Sequence, residues 1–209
     1  MVKRLVVASR NKKKIEEIKN IMEEAGYLAV SVEETGQEVD VVEDGNTFEA
    51  NSLKKAFEVM KACGEVALAD DSGLEVDALD GQPGVFSARF SGEGATDEKN
   101  NAKLLEMMKH IPAGERQARF VCAVTVAFPD YSYFTVRGEC KGEILFEPRG
   151  KSGFGYDPLF YLPEYRKTFA ELDSKTKNLI SHRAEALAKA KEMLMNGKRR
   201  KTLEDRNTE

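Results

Sequence analysis

The sequence predicts a mixed α/β fold with both parallel and antiparallel strand pairings. Three observations carry that expectation. The chain opens as strand, polar turn and helix: Leu5-Val6-Val7-Ala8 is a short apolar run, Ser9-Arg10-Asn11 is the turn, and residues 11–25 set Ile15, Ile18, Met22 and Ala25 at helical spacing. Two more helical stripes, over 47–63 and 96–111, flank a second short apolar run at 66–69. Two long strand-like segments, 117–128 and 133–146, then follow each other across Pro129-Asp130 and read as a hairpin.

Each element has a local cause. In 47–63 the stripe is Leu53, Phe57 and Met60, and Asn46 with Glu49 three residues on has the form of a capping box. The run 66–69 is expected to end at Asp70-Asp71-Ser72-Gly73, and Gly81-Gln82-Pro83-Gly84 is turn chemistry. Leu104, Leu105, Met108 and Ile111 form the inward stripe of 96–111. Segment 117–128 puts Ala118, Phe120, Cys122, Val124, Val126 and Phe128 on one face, and its other face is apolar too, as in a central strand. A last helix over 181–196 carries Ala184, Leu187, Ala190 and Leu194, with Gly197 as its stop.

With 209 residues the chain suffices for one domain, expected over 1–197, and 41% hydrophobic content supplies a core. Residues 198–209 are charged, almost without apolar side chains, and read as a solvated, disordered tail. The net charge of −4 gives no global attraction for nucleic acid or anionic membrane, so any polyanion must be met by local positive charge. Cys63, Cys122 and Cys140 are far apart and, with His110 and His182, offer no zinc-ligand spacing. No apolar stretch is long enough to span a bilayer, and the protein is expected in the cytoplasm.

Four segments carry chemistry. Ser9-Arg10-Asn11-Lys12-Lys13-Lys14 is a strand–helix corner whose unpaired N–H groups and positive dipole end suit phosphate; the other reading, which this segment alone favours, is a solvated lysine patch with Asn11 as an ordinary helix cap. Asp70 and Asp71 are adjacent carboxylates at the end of a buried run, an arrangement that calls for a cation, with magnesium the hard ion that accompanies triphosphate and Glu43 a third oxygen donor. The other reading is a β-turn whose aspartates cap N–H groups. In Ser152-Gly153-Phe154-Gly155-Tyr156-Asp157-Pro158 the glycines permit close backbone approach, and Phe154 either stacks on a base or fills the core. Gly150-Lys151-Ser152 is not the end of a Walker A loop, because Leu145 stands where that loop needs glycine. Lastly, Lys177 with Ser181-His182-Arg183 offers cationic and donor groups for an anion or a carbonyl oxygen, or makes a surface feature.

Taken together these segments resemble the inosine triphosphate pyrophosphatase family, also called dITP/XTP pyrophosphatases. The resemblance runs in order through Ser9-x-Asn11-x-x-Lys14, Glu43-Asp44-Gly45-x-Thr47-Phe48-x-x-Asn51, Ala69-Asp70-Asp71-Ser72-Gly73-Leu74 and Pro83-Gly84-Val85-Phe86-Ser87-Ala88-Arg89. It continues in Gly153-Phe154-Gly155-Tyr156-Asp157-Pro158 and in Lys177 with Ser181-His182-Arg183; Lys151-Ser152 departs from the family's small residues. It implies an elongated two-lobed α/β protein with a long curved mixed sheet flanked by helices, a substrate cleft between the lobes, and a homodimer. By matching positions it implies that Ser9, Arg10, Asn11, Lys12, Lys13 and Lys14 hold the triphosphate, and that Glu43 and Asp71 serve Mg2+. Asp71 is also the proton acceptor, with Asp70 a supporting acid. Ser72 touches substrate, Phe154, Gly155, Tyr156 and Asp157 form the base and sugar wall, and Lys177, His182 and Arg183 read the purine.

The implied reaction is hydrolysis of ITP, dITP or XTP to the monophosphate and pyrophosphate, by water attack at the α-phosphorus. Donors such as Lys177 and Arg183 would donate to a 6-oxo group and leave the amino group of adenine unmatched, a discrimination on the order of 10⁴-fold. A Maf-type pyrophosphatase, a silent nucleotide sensor and a nucleic-acid-binding module are the rival classes.

Overall fold

The computed structural model describes residues 3–197 and 201–202, apart from the side chain of Lys13. Its elements are β1 (Lys3–Val7), α1 (Lys12–Glu23), β2 (Tyr27–Ser31), α2 (Phe48–Cys63), β3 (Ala67–Val76), α3 (Asp97–Met107), β4 (Gln117–Ala127), β5 (Tyr133–Ile144), β6 (Phe160–Leu162), β7 (Lys167–Thr168), α4 (Ser174–Ile180) and α5 (His182–Asn196). Seven strands share one sheet in the order β2-β1-β3-β4-β5-β6-β7. β1 runs parallel to β2 and β3, whereas β6 is antiparallel to both β5 and β7, so the expected mixed sheet is present.

Two local expectations need correction. α2 is capped by Thr47, whose side chain accepts from the Ala50 N–H, and not by a box made from Asn46 and Glu49. The run at 66–69 does not stop at the aspartates: β3 continues through Asp70, Asp71 and Ser72 to Val76. Aspartate is a poor strand former, but here the carboxylates find cationic and amide partners on neighbouring helices, and that context overrides propensity. Three short strands, β2, β6 and β7, and the short helix α4 add to the expected elements.

The chain divides into two compact units. The first contains Met1–Asp71, Cys122–Gly138 and Arg183–Glu209; the second contains Ser72–Val121 and Glu139–His182. In the first, successive residues of a strand feed opposite faces of the sheet, as the two-residue period requires. Leu5, Val7 and Leu68 pack with α1 and α5 residues such as Ile18, Met22 and Leu187. Val6, Ala67 and Ala69 pack with Leu53, Ala56, Phe57 and Met60 of α2. Each fully buried aliphatic side chain contributes roughly 1.5–3 kcal/mol, which fixes the strand's register against both helix layers. Lys201 exchanges backbone hydrogen bonds with Tyr133, of 2.9 and 2.7 Å; the remainder of the expected tail, 198–200 and 203–209, lies outside the described residues.

The second unit closes around Leu74, Val76, Leu104, Met108, Phe120, Leu159, Phe160 and Phe169. Its polar centre is Arg116, only 3% exposed, whose guanidinium donates to four backbone carbonyls: Ile144 (2.7 Å), Met108 (2.8 Å), Ile111 and Leu145 (both 3.1 Å). It thereby serves carbonyls just past the end of α3 together with the end of β5, next to the negative end of the helix dipole. Arg116→Met, which strands these acceptors, is expected to lower unfolding free energy in urea by roughly 2–4 kcal/mol. Arg116→Lys, with fewer donors, should recover about half of it. An unchanged urea midpoint for Arg116→Met would mean that water replaces the guanidinium without penalty.

Candidate active site

In the first unit the site begins where β1 enters α1. The Ser9 hydroxyl accepts from the Asn11 N–H (3.2 Å), and Asn11 Oδ1 accepts from the Lys14 N–H (3.3 Å), so Asn11 does cap the helix. The first turn of α1 holds lysines and no acid. Cations at a helix N-terminus oppose the macrodipole, so this start concentrates positive charge at a local cost that an anion would relieve. Lys12 and Arg10 are exposed; Arg10 reaches the Val39 carbonyl (3.3 Å) and Asp40 (3.6 Å). Lys14 turns inward, and its ammonium lies 3.0 Å from Asp70 Oδ2.

The two aspartates are adjacent in β3, and strand geometry therefore sends them to opposite faces of the sheet. Leu68 faces α1 and α5, so Asp70 does as well; Ala69 faces α2, so Asp71 does as well. Asp70, 2% exposed, meets Lys14 of α1 and, at 3.2 Å, the Nε of Arg183 of α5. Burial pushes its carboxyl upward, but Lys14, Arg183 and Lys55 outweigh burial and hold it well below the usual carboxylate range. Arg183 also reaches Glu17 at 3.2 Å, and burial, which lowers its pKa, is outweighed by Asp70 and Glu17. Beneath this network the Cys122 thiol is pushed up to about 12, first by burial and then by Asp70, so it is an inert core group.

On the other face, Asp71 Oδ2 accepts from Asn51 Nδ2 at 3.0 Å. The Asn51 carbonyl in turn accepts from the Gly45 N–H at 2.8 Å, and a Cβ on Gly45 would stand 2.7 Å from that oxygen, which is why the turn carrying Glu43 needs glycine here. Lys55, one helical turn beyond Asn51, donates to Glu43 Oε1 (2.8 Å) and to the Asp70 backbone carbonyl (2.7 Å). Asp71 is raised above the ordinary range: burial and the Glu43 charge outweigh Lys55, Asn51 and Lys14. Among the described residues no group of three or more His, Cys, Asp or Glu side chains is arranged to hold a metal by itself. Glu43 and Asp71 are nonetheless two hard oxygen donors whose mutual repulsion an added cation would relieve, a set that fits a divalent ion completing its shell with phosphate and water.

The second unit holds the aromatic cluster. Phe154 is 40% exposed, so its ring is no core filler, and the Lys177 ammonium lies 4.9 Å from its centroid. The same ammonium is 5.3 Å from the Phe169 ring and is ion-paired with Asp157. Asp157 Oδ2 also accepts from the Phe154 N–H at 2.9 Å, and Gly153, at φ +85°, leaves room for that carboxylate where a Cβ would collide with it. Tyr156 is buried and donates to the Ser87 carbonyl at 2.8 Å. His182 is buried and stacks on Phe120 with centroids 4.9 Å apart, and Phe120 stacks on Phe169. Ser72 is half-buried and follows Asp71 along β3.

The expected residues thus fall into two groups. Lys14, Glu43, Asp70, Asp71 and Arg183 meet in the first unit; Phe154, Gly155, Tyr156, Asp157, Lys177 and His182 lie in the second. Arg183, expected at the purine, is engaged with Asp70 and Glu17. Sequence reasoning gave no role to Lys55, Asn51 or Glu17. The signal for the first two was their spacing of four on α2 opposite the acids, and for Glu17 its spacing of three from Lys14 on α1.

Fold and charge together define a class: an α/β protein that gathers cations around a buried strand bearing one acid on each face, suited to holding a polyanion beside a carboxylate base. The chain belongs to the Ham1 family, whose model matches residues 5–193. A protein of Desulforamulus reducens named dITP/XTP pyrophosphatase is 53% identical over 191 residues, 91% of this chain and 95% of the relative. One of the same name from Bacillus subtilis is 45% identical over 194 residues, 93% of this chain and 98% of the relative. Among solved structures, the Ham1 protein of Staphylococcus aureus is 40% identical with a TM-score of 0.86, covering 94% of this chain and 100% of its own. A HAM1 protein from Coxiella burnetii is 39% identical with a TM-score of 0.87, covering 93% and 99%. The resemblance drawn from the motifs is borne out. No helix among the described residues is long and apolar enough to cross a membrane.

Proposed function

We propose that this chain is a nucleoside triphosphate pyrophosphatase that hydrolyses ITP, dITP and XTP to the monophosphate and pyrophosphate, removing non-standard purines from the nucleotide pool. The observation that carries this reading is the division of labour in β3. Asp70 neutralises and anchors Lys14 and Arg183 on one face, while Asp71, raised and so a better base, stands on the other beside Glu43. Relatives of 45–53% identity named dITP/XTP pyrophosphatase support the substrate class.

In this reading Ser9, Asn11, Lys12 and Lys14 take the triphosphate, with Lys55 a further cation beside Glu43. Glu43 and Asp71 hold a divalent ion, Mg2+, which supplies charge neutralisation on the phosphates when bound. Asp71 receives the proton of the attacking water. A new bond forms between that oxygen and the α-phosphorus, the bridging oxygen between α- and β-phosphorus departs, and pyrophosphate leaves. Phe154 offers a stacking face for the base, and Lys177 donates to the 6-oxo group, with His182 a further reader of the purine; Arg183 acts by holding Asp70. The enzyme works in the cytoplasm as a homodimer. A panel measuring pyrophosphate release tests this. ITP, dITP and XTP should turn over at least about a hundredfold faster, in kcat/KM, than ATP, and only with a divalent ion. Preference for dTTP and UTP would assign the chain to a Maf-type activity, and tight ITP binding without release would make it a sensor.

A further inference from the structure

Each of the residues Phe154 to Asp157 is tied by hydrogen bonds, and the attachment of Gly155 is unlike the others. Phe154 and Asp157 are tied to each other, and Tyr156 is buried against the Ser87 carbonyl. Gly155 sits in the left-handed region at φ +60°, with nothing within 4 Å of where a Cβ would stand. No neighbour packs where a side chain would stand, and glycine has more backbone freedom to lose than any other. Both its peptide groups are gripped from the start of α3: Asp97 Oδ2 accepts from the Gly155 N–H at 2.7 Å, and Asn101 Nδ2 donates to the Gly155 carbonyl at 2.9 Å. Asp97 and Asn101 are four apart on the helix and so share one face. α3 is already capped by Thr96, whose hydroxyl accepts from the Lys99 N–H at 3.3 Å. The Asp97 carboxylate thus serves the loop rather than its own helix end.

We propose that Asp97 and Asn101 are positioning residues for nucleotide recognition, fixing the Gly155 peptides and through them the attitude of the Phe154 ring toward the base. This rests on the reading of Phe154 as the base platform. The clamp orders the loop before substrate arrives, so its loss appears as weaker binding rather than slower chemistry.

The test uses the full chain, steady-state pyrophosphate release from ITP, and thermal melting of each variant. Phe154→Ala should raise KM about tenfold or more. Asp97→Ala and Asn101→Ala should each raise it about three- to tenfold, with kcat held within about twofold. Asp97→Asn, whose amide oxygen still accepts from Gly155, should restore most of the loss. Asn101→Asp, which turns a donor into an acceptor facing a carbonyl, should reproduce it. Added to Phe154→Ala, either alanine change should alter KM by no more than about twofold, because the ring through which it acts is gone. If Phe154→Ala raises KM and the α3 variants do not, or if they lower melting temperature with KM unchanged, the clamp is only structural and the proposal is overturned. It is overturned equally if they raise KM by the same factor without Phe154. A silent Phe154→Ala would sink the base-platform reading itself, and this proposal with it.

Discussion

Asp71→Asn is expected to lower kcat by about 10²–10⁴-fold while leaving the protein folded, the range associated with loss of a positioned general base. Fold retention follows from the surroundings: asparagine keeps an oxygen for the Asn51 amide, and the change removes a charge whose burial is unfavourable. The pH profile gives a second readout. Burial and Glu43 raise Asp71 in the metal-free chain, whereas a bound divalent ion favours its charged form, so the acid limb of kcat/KM should move to lower pH as the divalent-ion concentration rises. Activity falls at the acid end as this base is protonated. Near-normal turnover in Asp71→Asn, or an acid limb that persists unchanged in its residual activity, would transfer the role to another group.

Asp70→Asn should act on the fold instead. It keeps the shape of the side chain but leaves Arg183, 4% exposed, and the inward-turned Lys14 without the carboxylate between them. Breaking a buried ion pair from one side costs about 3–5 kcal/mol, because the remaining charges stay desolvated. The sign of the pH dependence is set by the direction of the shift. Asp70 is held low in the folded state, so its contribution is fully present above the unfolded pKa of ~3.9 and fades as pH falls through the lower folded value. The stability gap between native enzyme and Asp70→Asn in urea should accordingly be full at pH 7 and narrow only below about pH 4. A gap under about 1 kcal/mol at neutral pH would mean that Glu17 and solvent suffice to hold Arg183.

Much of the sheet and its helices is legible in periodicity because burial imposes it. Leu5 and Val7 face one helix layer and Val6 the other, and a strand buried on both faces must read as a continuous apolar run. The aspartates were harder, for a physical reason: two adjacent acids resemble the end of a strand, since propensity weighs each residue alone. Carrying the alternation of Leu68 and Ala69 two residues further would have separated them onto opposite faces and removed the repulsion that seemed to require a shared cation. Lys55 and Asn51 were within reach of the same reasoning on α2. The Asp70–Arg183 pair, 113 residues apart in sequence, was not: such a contact depends on which helix packs on which face, and periodicity contains no such information. Arg116 was hidden likewise, because its acceptors are main-chain carbonyls that no side-chain pattern announces. β2 escaped despite its Tyr27, Ala29 and Ser31 alternation, being only five residues long.

The polypeptide passes from one compact unit to the other after Asp71, after Val121, after Gly138 and after His182. Neither unit is therefore encoded by one uninterrupted stretch, and recombination cannot exchange one as a module while sparing its neighbour. A single proteolytic nick would leave fragments of which at least one still holds pieces of both. Three of the four passages fall within β3, β4 and β5, so each of these strands supplies residues to both halves, and in β3 the boundary follows directly on the two acids.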